Sequence, residues 1–493
     1  MQTRNLALAA ALCGFALAAP APAAAAGGAP AAPAEIDAYM TRSLERSGLP
    51  GAAVAITRGD EVVHTAGYGR GSGGAPLTAR TPMAIGSLSK SVTSLAVAQL
   101  VDDGLLGFDD PVRDHLPEFR LADPRADRIT VRMLLTQTSG MADPGFPEMR
   151  RPQPRDLKGA VARLASARLV ADPGTRWNYH NPNYHVAARL VEVVADRPFA
   201  EHLRTRVFGP AGMDQTATRD TAAQRPGGLR DGYTPAFVKM AARPPLDHFV
   251  NGSGGVVSTA DDLAQWLIVQ GDGTATDGTR LVSAAGLAEM HAPGPAGGDY
   301  GMGWDLDRTG GRIARIHHGG TLFTASAEQI LLPGAEGRDD YGVAVAFNSA
   351  SALGAEQMAV IEGLVALVRG ERPDLPVPAT AYADLGLTGL GAVTLGVGGY
   401  RIARARRWAR RRAHRPLPLL LLSLAPRLVP VALFLALPAL AGLLFGGRDV
   451  TWEAAFYGWP LFVAWAALAA LLSTVLLAAR AVRLSDVRRA RPD

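Results

Sequence analysis

The chain has 493 residues, too many for one ordinary domain, and its 48% hydrophobic and 19% charged composition excludes disorder as the main state. The formal net charge is +5, but the excess sits in two C-terminal stretches: residues 401–416 carry eight arginines and no acid, and residues 480–493 carry five more. Outside them 37 basic residues face 43 acidic ones, so the main body is mildly acidic and gives no sign of a nucleic-acid surface.

Residues 1–26 read as an export signal. Arg4 supplies a short positive region, Leu6 to Ala19 an apolar core, and Ala24-Ala25-Ala26 small residues for cleavage. The single cysteine, Cys13, lies inside this segment, so the mature chain would have no disulfide and no thiol chemistry. Residues 35–370 read as one exported body. "AAVAITRGDEVVHTAGYG" is a hairpin of two alternating runs around Arg58-Gly59-Asp60, and "SVTSLAVAQLVDDGLL" is a helix with an apolar face. "RIARIHHGG", "SAEQILLP" and "YGVAVAFNSA" are strands, and "ALGAEQMAVIEGLVALV" is a closing helix. Strands at both ends with helices between them predict an α+β domain, an antiparallel sheet with helices packed on it.

Residues 371–384, with "ERPDLPVPA" at their start, read as a stiff linker. Residues 385–480 hold three apolar segments, at about 385–402, 428–446 and 455–479, expected to cross a membrane. With the body outside, the arginine-rich loop 401–416 and the basic tail 481–493 both fall on the cytoplasmic side, and "GRDVTWE" is a short outer loop. The alternative for the Gly-rich first segment is a juxtamembrane hinge.

Three short constellations carry chemistry. Ser87-Leu88-Ser89-Lys90 follows Gly86, and residues i and i+3 share a helical face. A desolvated lysine can lower its pKa enough to take a serine proton, whereas an arginine stays charged. The chain has only three lysines, Lys90, Lys158 and Lys239, against 47 arginines. The bland alternative is a serine N-cap beside a solvated lysine. Tyr179-His180-Asn181 lies on a loop entering a helix; the tyrosine can shuttle a proton and the asparagine can meet an amide with donor and acceptor, unless the tyrosine merely packs. His317-His318-Gly319-Gly320 ends a strand, where glycines permit close backbone approach to a ligand. Its rival reading is metal binding, disfavoured by the lack of H-E-x-x-H and of a cysteine partner, and no cofactor is expected.

These motifs, in this order, resemble the serine β-lactamase and penicillin-binding protein family, in its class C β-lactamase and serine esterase branch. The framing segments "LVDDGLLGFDDPVRDHLPEF", "ITVRMLLTQTSGM", "VFGPAGMDQTAT", "GSGGVVSTADDLAQWL" and "YGMGW" agree, and the likeness covers about residues 35–365. It implies a β-lactamase/transpeptidase-like fold with a mostly helical subdomain. It also implies Ser87 as the acylated nucleophile, with Lys90 and Tyr179 sharing base and proton-relay work. Asn181 and Gly319 would meet the substrate, and the amides of Ser87 and Gly320 would form the oxyanion hole. His317 takes the third-motif place, aligned so that the following Gly-Gly-Thr stays in step, with His318 as the neighbouring alternative. The chain departs from the family at Gln137, where "LLTHTSG" has histidine, and at "GTLFTAS", where "GTPGFSS" is common. It lacks S-D-N and K-T-G, which points away from a class A enzyme or a large transpeptidase.

The expected function is a membrane-anchored, outward-facing serine hydrolase acting through an acyl-enzyme on D-alanyl peptide-like amides, its partners a small peptide or ester substrate and the membrane. A promiscuous esterase or weak β-lactamase is the alternative within enzymes. A non-catalytic ligand sensor with a membrane transmitter is the alternative outside them.

Overall fold

The computed structural model describes residues 32–334 and 340–489, so the export signal expected over 1–26 lies outside the described residues. Helix α1 (Pro33–Ser47) starts on a proline, whose missing N–H is harmless in the first turn, and stops at Gly48 in the left-handed conformation, φ 74°. Strands β1 (Gly51–Arg58) and β2 (Glu61–Gly69) then form the expected hairpin, turning at Gly59 with φ 57°. Four more strands, β3 (Asp305–Thr309), β4 (Arg312–Leu322), β5 (Ala325–Leu332) and β6 (Tyr341–Phe347), complete an antiparallel six-stranded sheet of order β2-β1-β6-β5-β4-β3.

The period-2 alternation of the central strands builds two cores. Val54, Ile330 and Val345 face α1 and its partner α5 (Ala355–Val368), where Met40 and Leu364 meet them. The opposite face is lined by small residues, Ala53, Ala55, Ala344 and Ala346. They let α2 (Ser89–Asp102) and α4 (Ala260–Asp272) lie close to the sheet. Helix α3 (Pro182–Val194) packs beyond α2 in a mostly helical subdomain, with Tyr184, Leu134 and Phe119 in the shared core. Burying α2 on all sides strands its hydroxyls, and they find partners. Gln329 Nε2 donates to Ser91 Oγ at 2.9 Å while Gln329 Oε1 accepts from Trp266 Nε1 at 3.0 Å, tying α2, β5 and α4 together. The result is a rigid support for the N-terminus of α2, where the site forms.

Residues 371–378 have no regular structure, and helix α6 (Ala379–Ala403) begins inside the range read as linker. The second apolar segment is not one helix. It is broken into Val429–Leu435 and Leu437–Leu444, with Pro430 and Pro438 in the two first turns, because proline starts a helix but cannot continue one. The third divides likewise into Trp452–Gly458 and α7 (Pro460–Arg489). Among the described residues α7 is the one helix long and apolar enough to cross a membrane. Leu417–Arg427 with Val429–Leu435, bent by 47°, would make a second if the pair forms one span. Helix α6 lies along α7, where Trp465 Nε1 reaches Thr394 Oγ1 at 3.3 Å and Gly398 gives room for Leu472. At one end of this assembly Arg488 donates to the carbonyls of Ala413 and Arg415, at 3.1 and 2.9 Å. At the other, Trp459 Nε1 donates to Asp384 at 2.8 Å and Tyr457 Oη to the Pro244 carbonyl at 3.0 Å, and the loop before them meets the body of the protein where Arg150 donates to Asp449 at 2.7 Å.

Candidate active site

Gly86 adopts φ 54° and turns the chain from a short strand into a single 3-10 turn, Gly86–Leu88, that leads into α2. This places Ser87 at the start of the helix, half-buried, with Lys90 one turn on and fully buried. Lys90 Nζ has three oxygen neighbours: Ser87 Oγ at 3.1 Å, Asn181 Oδ1 at 3.0 Å and the Ser253 carbonyl at 2.8 Å. Burial drives its pKa well down; the Arg448 charge adds to this, and Glu148 opposes it. Tyr179 Oη donates to Ser87 Oγ at 2.8 Å. Burial pushes the Tyr179 phenol up to about 12, so it is neutral at pH 7.

The tripeptide loop is held from below. Gln137, at φ 59°, is fully buried, and its Oε1 accepts from the His180 amide at 3.0 Å and from Asn183 Nδ2 at 2.6 Å. A non-glycine residue at positive φ stores strain, kept here by those bonds. Glu148 Oε1 accepts from Asn181 Nδ2 at 2.8 Å, which fixes the amide with its oxygen toward Lys90. Asp143 Oδ1 meets His180 Nδ1 at 2.7 Å.

The two adjacent histidines separate. Gln329, the β5 partner of His318, faces α2, and His318 shares that face. Its ring is 6.2 Å from that of Tyr179, beside Tyr300 and Trp177 in an aromatic wall. His318 Nδ1 lies 2.7 Å from the Gly319 carbonyl, so this nitrogen is the donor, and Nε2 accepts from Tyr300 Oη at 3.1 Å. Burial is the main cause that lowers its pKa to about 3, so the ring is neutral. His317 points to the other face, toward Glu328 at 2.9 Å and Asp307 at 3.5 Å. There burial lowers its pKa but Glu328 outweighs that and the pKa is raised. Of the two residues weighed for the third-motif place, His318 is the one on the Tyr179 side and His317 is on the other, because strand alternation sends neighbours to opposite faces.

The same alternation governs the glycines. Gly319 shares the outer face, against Glu328. Gly320 faces α2 so closely that an added Cβ would stand 2.2 Å from the Ile85 carbonyl and 2.9 Å from the Ser87 nitrogen. A Cβ on Gly86 would stand 3.0 Å from the Thr321 nitrogen, so the Thr321 amide lies beside Gly86, the residue before the serine. Strand β3 pairs with β4 only as far as His317, so that, among the described residues, this edge of β4 has no partner strand from His318 onward.

Ser253, Glu148, Asp143 and Arg448 are site residues that carried no motif of their own. Ser253 lay within the framing segment "GSGGVVSTADDLAQWL", but Arg448 comes from "GRDVTWE", the loop between the last apolar helices. Its Nε donates to Asp143 Oδ2 at 2.8 Å, its Nη2 lies 3.4 Å from Glu148 Oε1, and its guanidinium sits 5.1 Å from the centre of the Tyr179 ring.

A family model described as Beta-lactamase matches residues 36–366. Protein flp of Staphylococcus aureus (strain COL) is 23% identical over 322 residues, 64% of this chain and 62% of that protein. Penicillin-binding protein 4 of Amycolatopsis lactamdurans is 32% identical over 248 residues, 49% of this chain and 65% of that protein. Each match thus spans less than two thirds of the relative's own length. The octameric penicillin-binding protein homologue from Pyrococcus abyssi has a similar fold, with a TM-score of 0.57 at 22% identity, over 72% of this chain and 81% of that one.

Proposed function

The chain belongs to the beta-lactamase family, its residues 36–366 making a serine hydrolase domain of the beta-lactamase and penicillin-binding kind; from that premise we propose a membrane-anchored, outward-facing enzyme that forms an acyl-enzyme on Ser87 and hydrolyses D-alanyl peptide-like amides. One observation carries the chemistry. A neutral lysine amine has two N–H donors and one lone pair. Of the three oxygens around Lys90 Nζ, the Asn181 Oδ1 and the Ser253 carbonyl can only accept. They take the two N–H groups, and the lone pair is left for the one neighbour that carries a proton, Ser87 Oγ–H.

In this reading Lys90 is the general base, and burial lowers its pKa toward the neutral form that the task needs. Ser87 Oγ attacks the carbonyl as its proton passes to Nζ. The Tyr179 phenol, neutral, donates to Oγ at rest and hands a proton to the departing amine, regaining one from Lys90. The oxyanion meets the amides of Ser87 and Thr321, the second donor moving one residue from Gly320 for the same reason that His317 gives way to His318. Water then attacks the acyl group with Lys90 again as base. Asn181 and the unpaired edge of β4 would hold the substrate backbone. His318, neutral, contributes a hydrogen-bonding ring and no cationic charge.

The peptide substrate rests on the resemblance of the three motifs to the penicillin-binding family, to which the similarity with penicillin-binding protein 4 adds support. The membrane reading rests on α7 and on the two arginine-rich stretches, which meet where Arg488 binds the carbonyls of Ala413 and Arg415, at the end away from the sheet domain. We retain three passes, with α6 as the first, and an exported body.

The test uses the full chain in detergent micelles, treated with a fluorophosphonate and separately with a fluorescent penicillin, with Ser87→Ala as control. Labelling by both probes, lost in Ser87→Ala, together with release of D-alanine from a D-Ala-D-Ala peptide, is the expected result. Labelling by the phosphonate alone, with ester turnover and no D-alanine release, would replace the peptidase by an esterase. Labelling that survives Ser87→Ala would overturn the nucleophile.

A further inference from the structure

The inference concerns the loop that joins the last apolar helices. Asp143 and Glu148 are both buried, 3% and 4% exposed, and each holds one member of the tripeptide loop, His180 and Asn181 respectively. Two buried carboxylates side by side need a counter-charge. Nearby in the same domain stand Arg163, 3.9 Å from Glu148, and His180, whose ring lies 2.7 Å from Asp143. The rest comes from 300 residues further along the chain, where Arg448 spans both acids, the Asp449 amide donates to Asp143 Oδ2 at 2.6 Å, and Asp449 in turn pairs with Arg150 at 2.7 Å.

We propose that Arg448, carried into the site by the loop between the C-terminal apolar helices, is a positioning residue for acyl transfer, holding Glu148 and Asp143 in the orientations that set Asn181, Lys90 and the Tyr179 loop. The proposal rests on Lys90 acting as the base for Ser87. Its physical content is a charge balance. The titratable or charged groups around Lys90 are Tyr179 on the loop, Tyr184 and His185 on α3, His318 on β4, Glu148 and Arg448. The tyrosines and histidines are held neutral by burial. Glu148 therefore draws a cation, and Arg448 satisfies it. Without the guanidinium Glu148 keeps only the looser contact with Arg163 at 3.9 Å, and its less balanced charge favours a protonated Lys90, which cannot accept the serine proton. The membrane part thereby completes a site that the sheet domain alone leaves unbalanced.

The experiment follows the rate of Ser87 phosphonylation by a fluorophosphonate against pH, in the full chain in micelles, for wild type, Ser87→Ala, Arg448→Gln, Arg448→Lys and Glu148→Gln. Removing a like charge raises the pKa of Lys90, so Arg448→Gln moves the acidic limb up by about one pH unit and slows labelling on that limb about tenfold. Glu148→Gln keeps an oxygen for Asn181 but removes the opposing charge, so its limb moves down. Arg448→Lys stays near wild type. Opposite displacements are the signature, since a merely structural loss would slow both variants without moving the limbs apart. Should Arg448→Gln fail to fold, the downward limb of Glu148→Gln and the retained limb of Arg448→Lys decide. Limbs of Arg448→Gln and Glu148→Gln that coincide with wild type overturn the proposal while leaving Ser87 and Lys90 in place. An unlabelled wild type, or a labelled Ser87→Ala, would instead overturn the underlying mechanism and this proposal with it.

Discussion

Replacing Lys90 by arginine keeps a basic side chain of similar reach but removes the one property the site uses, a lone pair that can take a proton. Lys90 is fully buried and surrounded by oxygens at 2.8 to 3.1 Å. A guanidinium has five N–H donors and no lone pair, and it does not deprotonate in a protein. It would donate to Ser87 Oγ and could never take its proton. General-base catalysis contributes roughly 10²- to 10⁴-fold, so Lys90→Arg should slow acylation about 10³-fold, an added barrier of about 4 kcal/mol. Lys90→Met, of similar shape without charge, should lose as much, which separates the loss of the base from any effect of the larger head group. The measurement is the time course of fluorophosphonate labelling in micelles at pH 7, with circular dichroism to establish that both variants are folded. A folded Lys90→Arg that acylates within tenfold of wild type would refute the assignment of Lys90 as base.

Four further outcomes are expected. Gly320→Ala drives a Cβ into the Ile85 carbonyl and the Ser87 amide, and it should cost about 1–3 kcal/mol of stability and about 10²-fold in acylation; wild-type labelling by this variant would contradict the close approach described above. His318→Ala should slow acylation about tenfold or more, whereas His317→Ala should leave it within about threefold and reduce stability, because Glu328 then stays buried with only Arg315, at 4.0 Å, to pair with; the reverse pattern would favour His317 for the third-motif role. Burial raises the Asp143 carboxyl, but the His180 bond and the Arg448 charge outweigh this and hold it below the ordinary range. Its contribution is therefore complete above the unfolded carboxylate pKa of about 4 and is lost as pH falls below it. Melting temperatures between pH 3 and 6 should fall less steeply on the acid side for Asp143→Asn than for wild type, and identical slopes would argue against the loop being docked through this acid. A reporter fused after Arg412 should be active only as a cytoplasmic reporter, and periplasmic-type activity there would reverse the proposed topology.

The local elements were legible because their causes are local. The hairpin of β1 and β2 follows from alternation around one glycine turn, and α2 from a breaker followed by a run of helix-compatible residues. The Ser87–Lys90 pair follows from the three-residue helical offset, which brings i and i+3 to one face whatever the rest of the chain does. The apolar segments were visible as composition, but the breaks at Pro430, Pro438 and Pro460 divide them more finely than hydropathy suggests. Gln137 stood out only as a departure from a family pattern; that its amide oxygen carries the His180 backbone depends on a fold that brings residues 43 apart together.

What the sequence by itself determined is the chemistry available: a serine with a lysine one turn on, a tyrosine and asparagine two residues apart, and a histidine pair at a strand end. What the tertiary structure alone decided is which face and which neighbour. Two adjacent histidines on a strand must point to opposite sides, and only the pairing of β4 with β5 settles that His318 faces the serine and His317 does not. Arg448 carries no signal at all in one dimension, being one arginine among 47. Its place against Asp143, 305 residues away, comes from two buried carboxylates that need a counter-charge and from helices that bring one back to them.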